Sequence, residues 1–139
     1  MARILLALLL LVSASAVRAE EISAADRAAI TQVIEDQIAA FRVDDAVRAF
    51  SFASPGIQAK FGTPETFIDM VRTGYLPVYR ARAASFRALT VENGVPVQAV
   101  EILGPDGVSV LALYFMEQQP DGTWKIKGCV LTKLPERVA

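Results

Sequence analysis

The stretch that decides the fold begins Val95-Pro96-Val97-Gln98-Ala99-Val100-Glu101-Ile102-Leu103 and turns at Gly104-Pro105-Asp106-Gly107. It continues Val108-Ser109-Val110-Leu111-Ala112-Leu113-Tyr114-Phe115-Met116-Glu117-Gln118, turns again at Pro120-Asp121-Gly122, and ends Thr123-Trp124-Lys125-Ile126-Lys127-Gly128-Cys129-Val130-Leu131-Thr132. Apolar and β-branched runs bounded by Pro, Asp and Gly read as strands joined by tight turns. One more run, Phe86 to Val91, ends at Asn93-Gly94, a dipeptide suited to a two-residue hairpin. The pattern predicts a four-stranded antiparallel meander.

The turns suggest a register. If Gly104 faces Gly107, Glu101 lies opposite Val110. If Gln119 faces Gly122, Phe115 lies opposite Ile126 and Ala112 opposite Cys129. Alternation then sorts side chains onto two faces. One holds Val100, Ile102, Leu111, Leu113, Phe115, Trp124, Ile126 and Val130, and is predicted to lie against helices. The other holds Val97, Ala99, Glu101, Val110, Ala112, Tyr114, Met116, Lys125, Lys127, Cys129 and Leu131. That mixed face predicts a homodimer contact through the sheet, made by Val110, Ala112, Tyr114, Met116 and Cys129.

Ahead of the strands the period changes. Ser23-Ala24-Ala25-Asp26 is a partial helix start, and Ile30, Val33, Ile34, Ile38 and Phe41 recur at helical spacing. A helix over 24–42 is predicted. Asp44 then caps a short helix with Val47 and Phe50 inward. Ser54-Pro55 opens another, with Ile57 and Phe61 as its buried pair and Gly62 as its end. Thr63-Pro64-Glu65 opens a third, with Phe67, Met70 and Val71 inward and Gly74 as its stop. Tyr75-Leu76-Pro77-Val78-Tyr79 is predicted to be extended, because a residue before proline avoids the helical region. Arg80 and Arg82 are predicted to be solvated. Helices followed by an antiparallel sheet make an α+β domain, and a long helix held in a curved sheet leaves a cone open at one end.

The chain opens Met1-Ala2-Arg3, then Ile4 to Val12 without a polar residue, then small residues to Val17-Arg18-Ala19. A charge, a short apolar run and a small-residue exit predict a signal peptide cleaved after Ala19. The apolar stretch is too short for a spanning helix. The mature protein, a single domain over 20–139, is therefore expected to be periplasmic or secreted, with no membrane contact once the leader is gone. Its 120 residues suffice for one core without staples.

Composition removes several function classes. The chain has 14 basic and 15 acidic residues, and loss of Arg3 and Arg18 with the leader shifts the balance to −3. A nucleic-acid partner, which needs a basic face, is not expected. With no histidine, neither a Ser-His-Asp nor a Cys-His unit can form, and no metal or other cofactor is expected. One cysteine allows no internal disulfide.

The run Asp44-Asp45-Ala46-Val47-Arg48-Ala49-Phe50-Ser51-Phe52-Ala53-Ser54-Pro55-Gly56-Ile57-Gln58 resembles the signature of a bacterial family catalogued as domain of unknown function 4864. Phe61-Gly62, Phe67, Met70-Val71, Tyr75 to Tyr79 and Asp121 to Cys129 fit the same pattern, so the resemblance covers nearly the whole mature chain. That family is similar to the nuclear-transport-factor-2-like (cystatin-like α+β) superfamily. The resemblance implies the cone fold. It implies no one activity, since that superfamily holds isomerases, dehydratases, cyclases and non-catalytic binding domains.

Its enzymes use acid–base pairs inside the cone, and without histidine only a carboxylate–tyrosine pair remains. Candidates are Asp45, Asp69, Glu101, Tyr75, Tyr79 and Tyr114. Against this, Asp44-Asp45 reads as capping and Asp69 as solvated charge. Gln37, Phe41, Tyr75 and Tyr79 are the predicted cone lining, the two tyrosines competing with a role as core aromatics with wet tips. Gln58 is a further polar side chain with reach. Cys129 reads as a small buried apolar residue, with a redox nucleophile as the competing role. Trp124 reads as a core anchor. The balance favours a non-catalytic exported domain that binds a small apolar ligand or a protein. The alternatives are a cofactor-free isomerase, dehydratase or cyclase, and a purely structural homodimer.

Overall fold

A computed structural model describes residues 22–135. The leader and its cleavage point lie outside the described residues. Helix α1 spans Ala24–Arg42, followed by α2 (Ala46–Ser51), α3 (Pro55–Phe61), α4 (Pro64–Gly74) and α5 (Leu76–Tyr79). Strands β1 (Ala83–Glu92), β2 (Val95–Leu103), β3 (Ser109–Gln118) and β4 (Trp124–Lys133) form one open antiparallel sheet in sequence order. This is the α+β architecture expected, with the helices packed on one sheet face. Among the described residues no helix is long and apolar enough to cross a membrane.

Capping chemistry sets the helix starts. Ser23, Ser54 and Thr63 accept from the amides of Asp26, Ile57 and Thr66. Each bond satisfies a donor the helix leaves open, worth about 1 kcal/mol. The cap of α2 is Asp45, not Asp44, and accepts from Arg48 N at 3.1 Å. Val47 is 67% exposed rather than inward, while Phe50 is buried. Residues 76–79 form a helical turn instead of an extended segment. Pro77 sits where the first helical turn needs no amide donor, so the ring is accommodated. Tyr79 N and Arg80 N bond back to Tyr75 O and Leu76 O, each at 2.9 Å.

The sheet register differs from the simple turn reading, for a local reason. Gly104 N bonds to Val108 O and Gln119 N to Thr123 O, so each loop holds three residues. Both loops read Pro-Asp-Gly, with Gly107 at φ 79° and Gly122 at φ 87°, the three-residue loop that ends in a left-handed glycine. Asp106 and Asp121 brace them by accepting from the amides of Val108 and Thr123. Glu101 therefore pairs with Leu111, not Val110, and Ala112 with Leu131, not Cys129. Phe115 pairs with Gly128 and Met116 with Ile126, which leaves Lys127 as the extra residue of a bulge.

A slip of one residue turns a strand over. Ala112, Tyr114 and Met116 lie in the core beside Val100, Ile102, Trp124 and Ile126. Val110, Cys129 and Leu131 pack against that core as partly buried residues. The predicted dimer residues Val110, Ala112, Tyr114, Met116 and Cys129 thus face the helices. Leu111, Leu113, Phe115 and Val130 take the outer face, and Val130 is 49% exposed. Val100, Ile102, Trp124 and Ile126 lie inward as expected.

The core sits between that inner face and α1, whose Ile30, Ile34, Ile38 and Phe41 are buried. Each such side chain contributes roughly 1.5–3 kcal/mol of transfer free energy. Trp124 anchors one end, its Nε1 donating to Asp26 Oδ1 at 3.1 Å. The β4 edge is covered by the segment before α3, where Ile126 N donates to Phe52 O and Ser54 N to Ile126 O.

Candidate functional site

A cavity of about 550 Å³ opens between the helices and the inner sheet face. That volume falls within the range of small-molecule sites. Aromatic and aliphatic side chains form most of its wall. Phe41 comes from α1, Ile57 and Phe61 from α3, and Phe67, Met70 and Val71 from α4. Their rings interlock: Phe41 and Phe61 lie 6.1 and 5.9 Å from Phe67, centroid to centroid. The register places Tyr114 and Cys129 of β3 and β4, paired across the strands, on the sheet side of the cavity.

Tyr114 is the unusual member. It is 1% exposed, and among the described residues its hydroxyl has no hydrogen-bond partner. An unpaired buried hydroxyl costs about 1–3 kcal/mol. Burial pushes its ionisation well above the ordinary phenol range, and the neighbouring Cys129 adds to the effect. The group therefore stays a neutral O–H. Burial likewise pushes the Cys129 thiol up to about 12. The thiol is protonated at neutral pH, which argues against a nucleophilic role.

The predicted cone lining divides. Gln37, Phe41 and Tyr75 do line the cavity. Gln37 donates from Nε2 to Ala49 O at 3.1 Å, and Tyr75 donates to Cys129 O at 3.0 Å, tying the chain after α4 to β4. Tyr79 does not line it. It is 4% exposed, and its hydroxyl donates to Asp44 and accepts from Arg80 Nη2 at 3.2 Å and Arg72 Nε at 3.4 Å. The Arg80 guanidinium lies 4.0 Å from the Tyr79 ring centroid, holds both Asp44 oxygens at 2.9 Å, and donates to Phe41 O at 2.6 Å. Arg80 is thus a structural partner rather than a solvated charge, while Arg82 is exposed as expected. The Tyr79 hydroxyl bond, then the Arg80 bond, hold the Asp44 carboxyl below its usual range. A carboxylate–tyrosine pair does exist, but it ties α5 to the end of α1, outside the cavity.

Among the described lining residues there is no Asp or Glu. Asp45 caps α2, Asp69 pairs with Arg72 on the surface, and Glu101 pairs with Arg87. Gln58 is spent on Phe50 O and Ala53 O. A second concavity, of about 790 Å³, lies beside Val33, Phe52 and Trp124. There the indole N–H is already bonded to Asp26, so among the described residues no buried side-chain polar group is left open.

The sequence reading named Tyr114 as an acid–base candidate but put it in the dimer patch rather than the lining, and it missed Lys60 and Lys127. Signals for Tyr114 and Lys127 were present. Pro-Asp-Gly at both turns specifies three-residue loops, and Gly128 inside a strand marks a bulge.

Residues 23–139 match the family described as Domain of unknown function (DUF4864). The chain belongs to this family. A search of the curated proteins and of the solved structures returned no match. The DUF4864 match begins at Ser23, the cap of α1, and takes in every element that builds the cavity.

Proposed function

We propose that this DUF4864 chain is an exported, non-catalytic domain that binds a small, mainly apolar molecule in the cavity between its helices and its sheet. The observation that carries the reading is Tyr114, a lining residue of an apolar cavity of ligand size whose buried hydroxyl is unpaired among the described residues. A buried polar group without a partner is costly in an empty site and useful in a filled one. The ligand supplies an oxygen or nitrogen acceptor at that point and hydrocarbon elsewhere. The absence of a carboxylate from the described lining supports binding over acid–base catalysis. The long helix on a bulged four-stranded meander supports the resemblance to the nuclear-transport-factor-2-like superfamily. Export rests on the order of charge, apolar run and small residues before Glu20.

Native mass spectrometry of protein purified without detergent is expected to show a bound small molecule, and 1-decanol is expected to raise the Tm. Protein that carries no adduct and ignores 1-decanol rejects the binding reading. N-terminal sequencing of the mature protein is expected to begin at Glu20. An intact leader in the exported fraction rejects the processing.

The outer sheet face favours a second reading, association of two copies. Leu113 pairs with Val130 and Ala99 with Leu113, so the apolar side chains adjoin across three strands. A self-complementary patch of this kind suits a two-fold dimer. Leu113→Glu is expected to halve the mass seen by light scattering without loss of fold. A monomeric wild type rejects the dimer.

A further inference from the structure

We infer that the cavity takes an anionic amphiphile, a carboxylic acid whose hydrocarbon body lies on the aromatic wall and whose carboxylate meets Lys60 and Lys127. The inference rests on the binding reading above and adds the charge of the ligand. The two charged side chains in the described lining are both cations, and both residues are exposed, so they mark the solvent end of the cavity. They come from different elements, Lys60 from α3 and Lys127 from β4.

The local geometry brings each to the rim. Lys60 Nζ lies 5.4 Å from the ring centroid of Phe61, itself a lining residue. Lys127 is the unpaired residue of the β4 bulge, between Ile126 and Gly128. In unbroken alternation it would share the outer face with Lys125. The bulge re-aims it. Among the described residues neither lysine forms an ion pair, whereas Arg72, Arg80 and Arg87 each do. Two unpaired cations at an apolar cavity, in a chain of net charge −1, complement one negative headgroup. At the other end of polarity, Tyr114 gives the body of the ligand one hydrogen-bond donor away from solvent. The arrangement selects a molecule with an acid at one end and a further oxygen within its apolar part.

The test is calorimetric titration of the purified protein with decanoate, 1-decanol and decyltrimethylammonium, which share a tail and differ in head charge. Two partly screened charge contacts predict that decanoate binds about 5- to 30-fold more tightly than 1-decanol at low salt. The gap closes at high salt, and the cation binds most weakly. The exposed double variant Lys60→Gln/Lys127→Gln, checked for fold by circular dichroism, is expected to bind decanoate and 1-decanol alike. Equal binding of the two by the wild type, or a preference for decanoate that survives in the double variant, overturns the headgroup assignment and leaves the cavity reading standing. If neither probe binds, both fall together.

Discussion

Two buried tyrosines face opposite circumstances in this molecule. Around Tyr79 the hydroxyl is bonded three ways, to Asp44, Arg72 and Arg80, and Arg80 also stacks on its ring. Around Tyr114 the neighbours are mainly apolar, and among the described residues the hydroxyl meets no partner. The first environment favours charge and holds the Asp44 carboxyl down. The second suppresses charge and pushes the Cys129 thiol and the Tyr114 phenol up. A satisfied cluster at a chain junction works as a joint. An unsatisfied group beside a cavity keeps its bonding capacity unspent. The lesson is that residue type alone does not mark a site; the state of its hydrogen bonds does.

The sharpest way to break the contrast is chemical. With its thiol pushed up to about 12, Cys129 carries little thiolate at mild alkaline pH. Iodoacetamide is therefore expected to alkylate it roughly a thousandfold more slowly in the folded protein than in the unfolded chain. Equal rates would mean that the Tyr114 side is wet. The same shift carries a sign. A folded value above the unfolded one gives stability that is present below the ordinary thiol value and is lost as pH rises toward about 12.

Next in size, Tyr79→Ala removes an aromatic ring packed between Phe41 and Arg80 and is expected to cost about 3–5 kcal/mol in urea denaturation. A cost below 1 kcal/mol, on the scale of a surface change, would remove Tyr79 from the joint. A finer comparison deletes one oxygen from each tyrosine. Tyr79→Phe is expected to destabilise by about 1–2 kcal/mol, since Asp44 and the arginines lose their partner. Tyr114→Phe is expected to stabilise the ligand-free protein by about 1 kcal/mol while weakening ligand binding. The opposite signs are the test, and two losses of equal size would erase the contrast.

The smallest effect is in acid. Because the Asp44 carboxyl is held below its ordinary value of 3.8, its stabilising contribution is present above that pH and is lost as pH falls through the folded value. Asp44→Asn is expected to flatten the acid limb of a stability profile. Asp121 is held down in the same direction by Thr123, so Asp121→Asn removes a separate share. An acid limb untouched by Asp44→Asn would show that the Tyr79 and Arg80 bonds do not hold in solution.

The sequence by itself determined the long helix, the three short helices after it and the four strands, in order, though not the helical turn α5. The stripe from Ile30 to Phe41, the caps at Ser23, Ser54 and Thr63, and the turn at Asn93-Gly94 are local signals that local rules read correctly, whereas the two Pro-Asp-Gly loops were located but taken one residue too short. Gln37, Phe41 and Tyr75 were legible as cavity residues because a helix stripe and its continuation point one way. Only the tertiary structure decided which sheet face turned inward. Side chains alternate with a period of two, so one residue in each loop and one bulge at Lys127 exchange core for surface along a whole strand. The fate of Asp44, Tyr79 and Arg80 was hidden for a related reason. They lie some 35 residues apart in the chain, and their bonding depends on how α5 docks beside the end of α1.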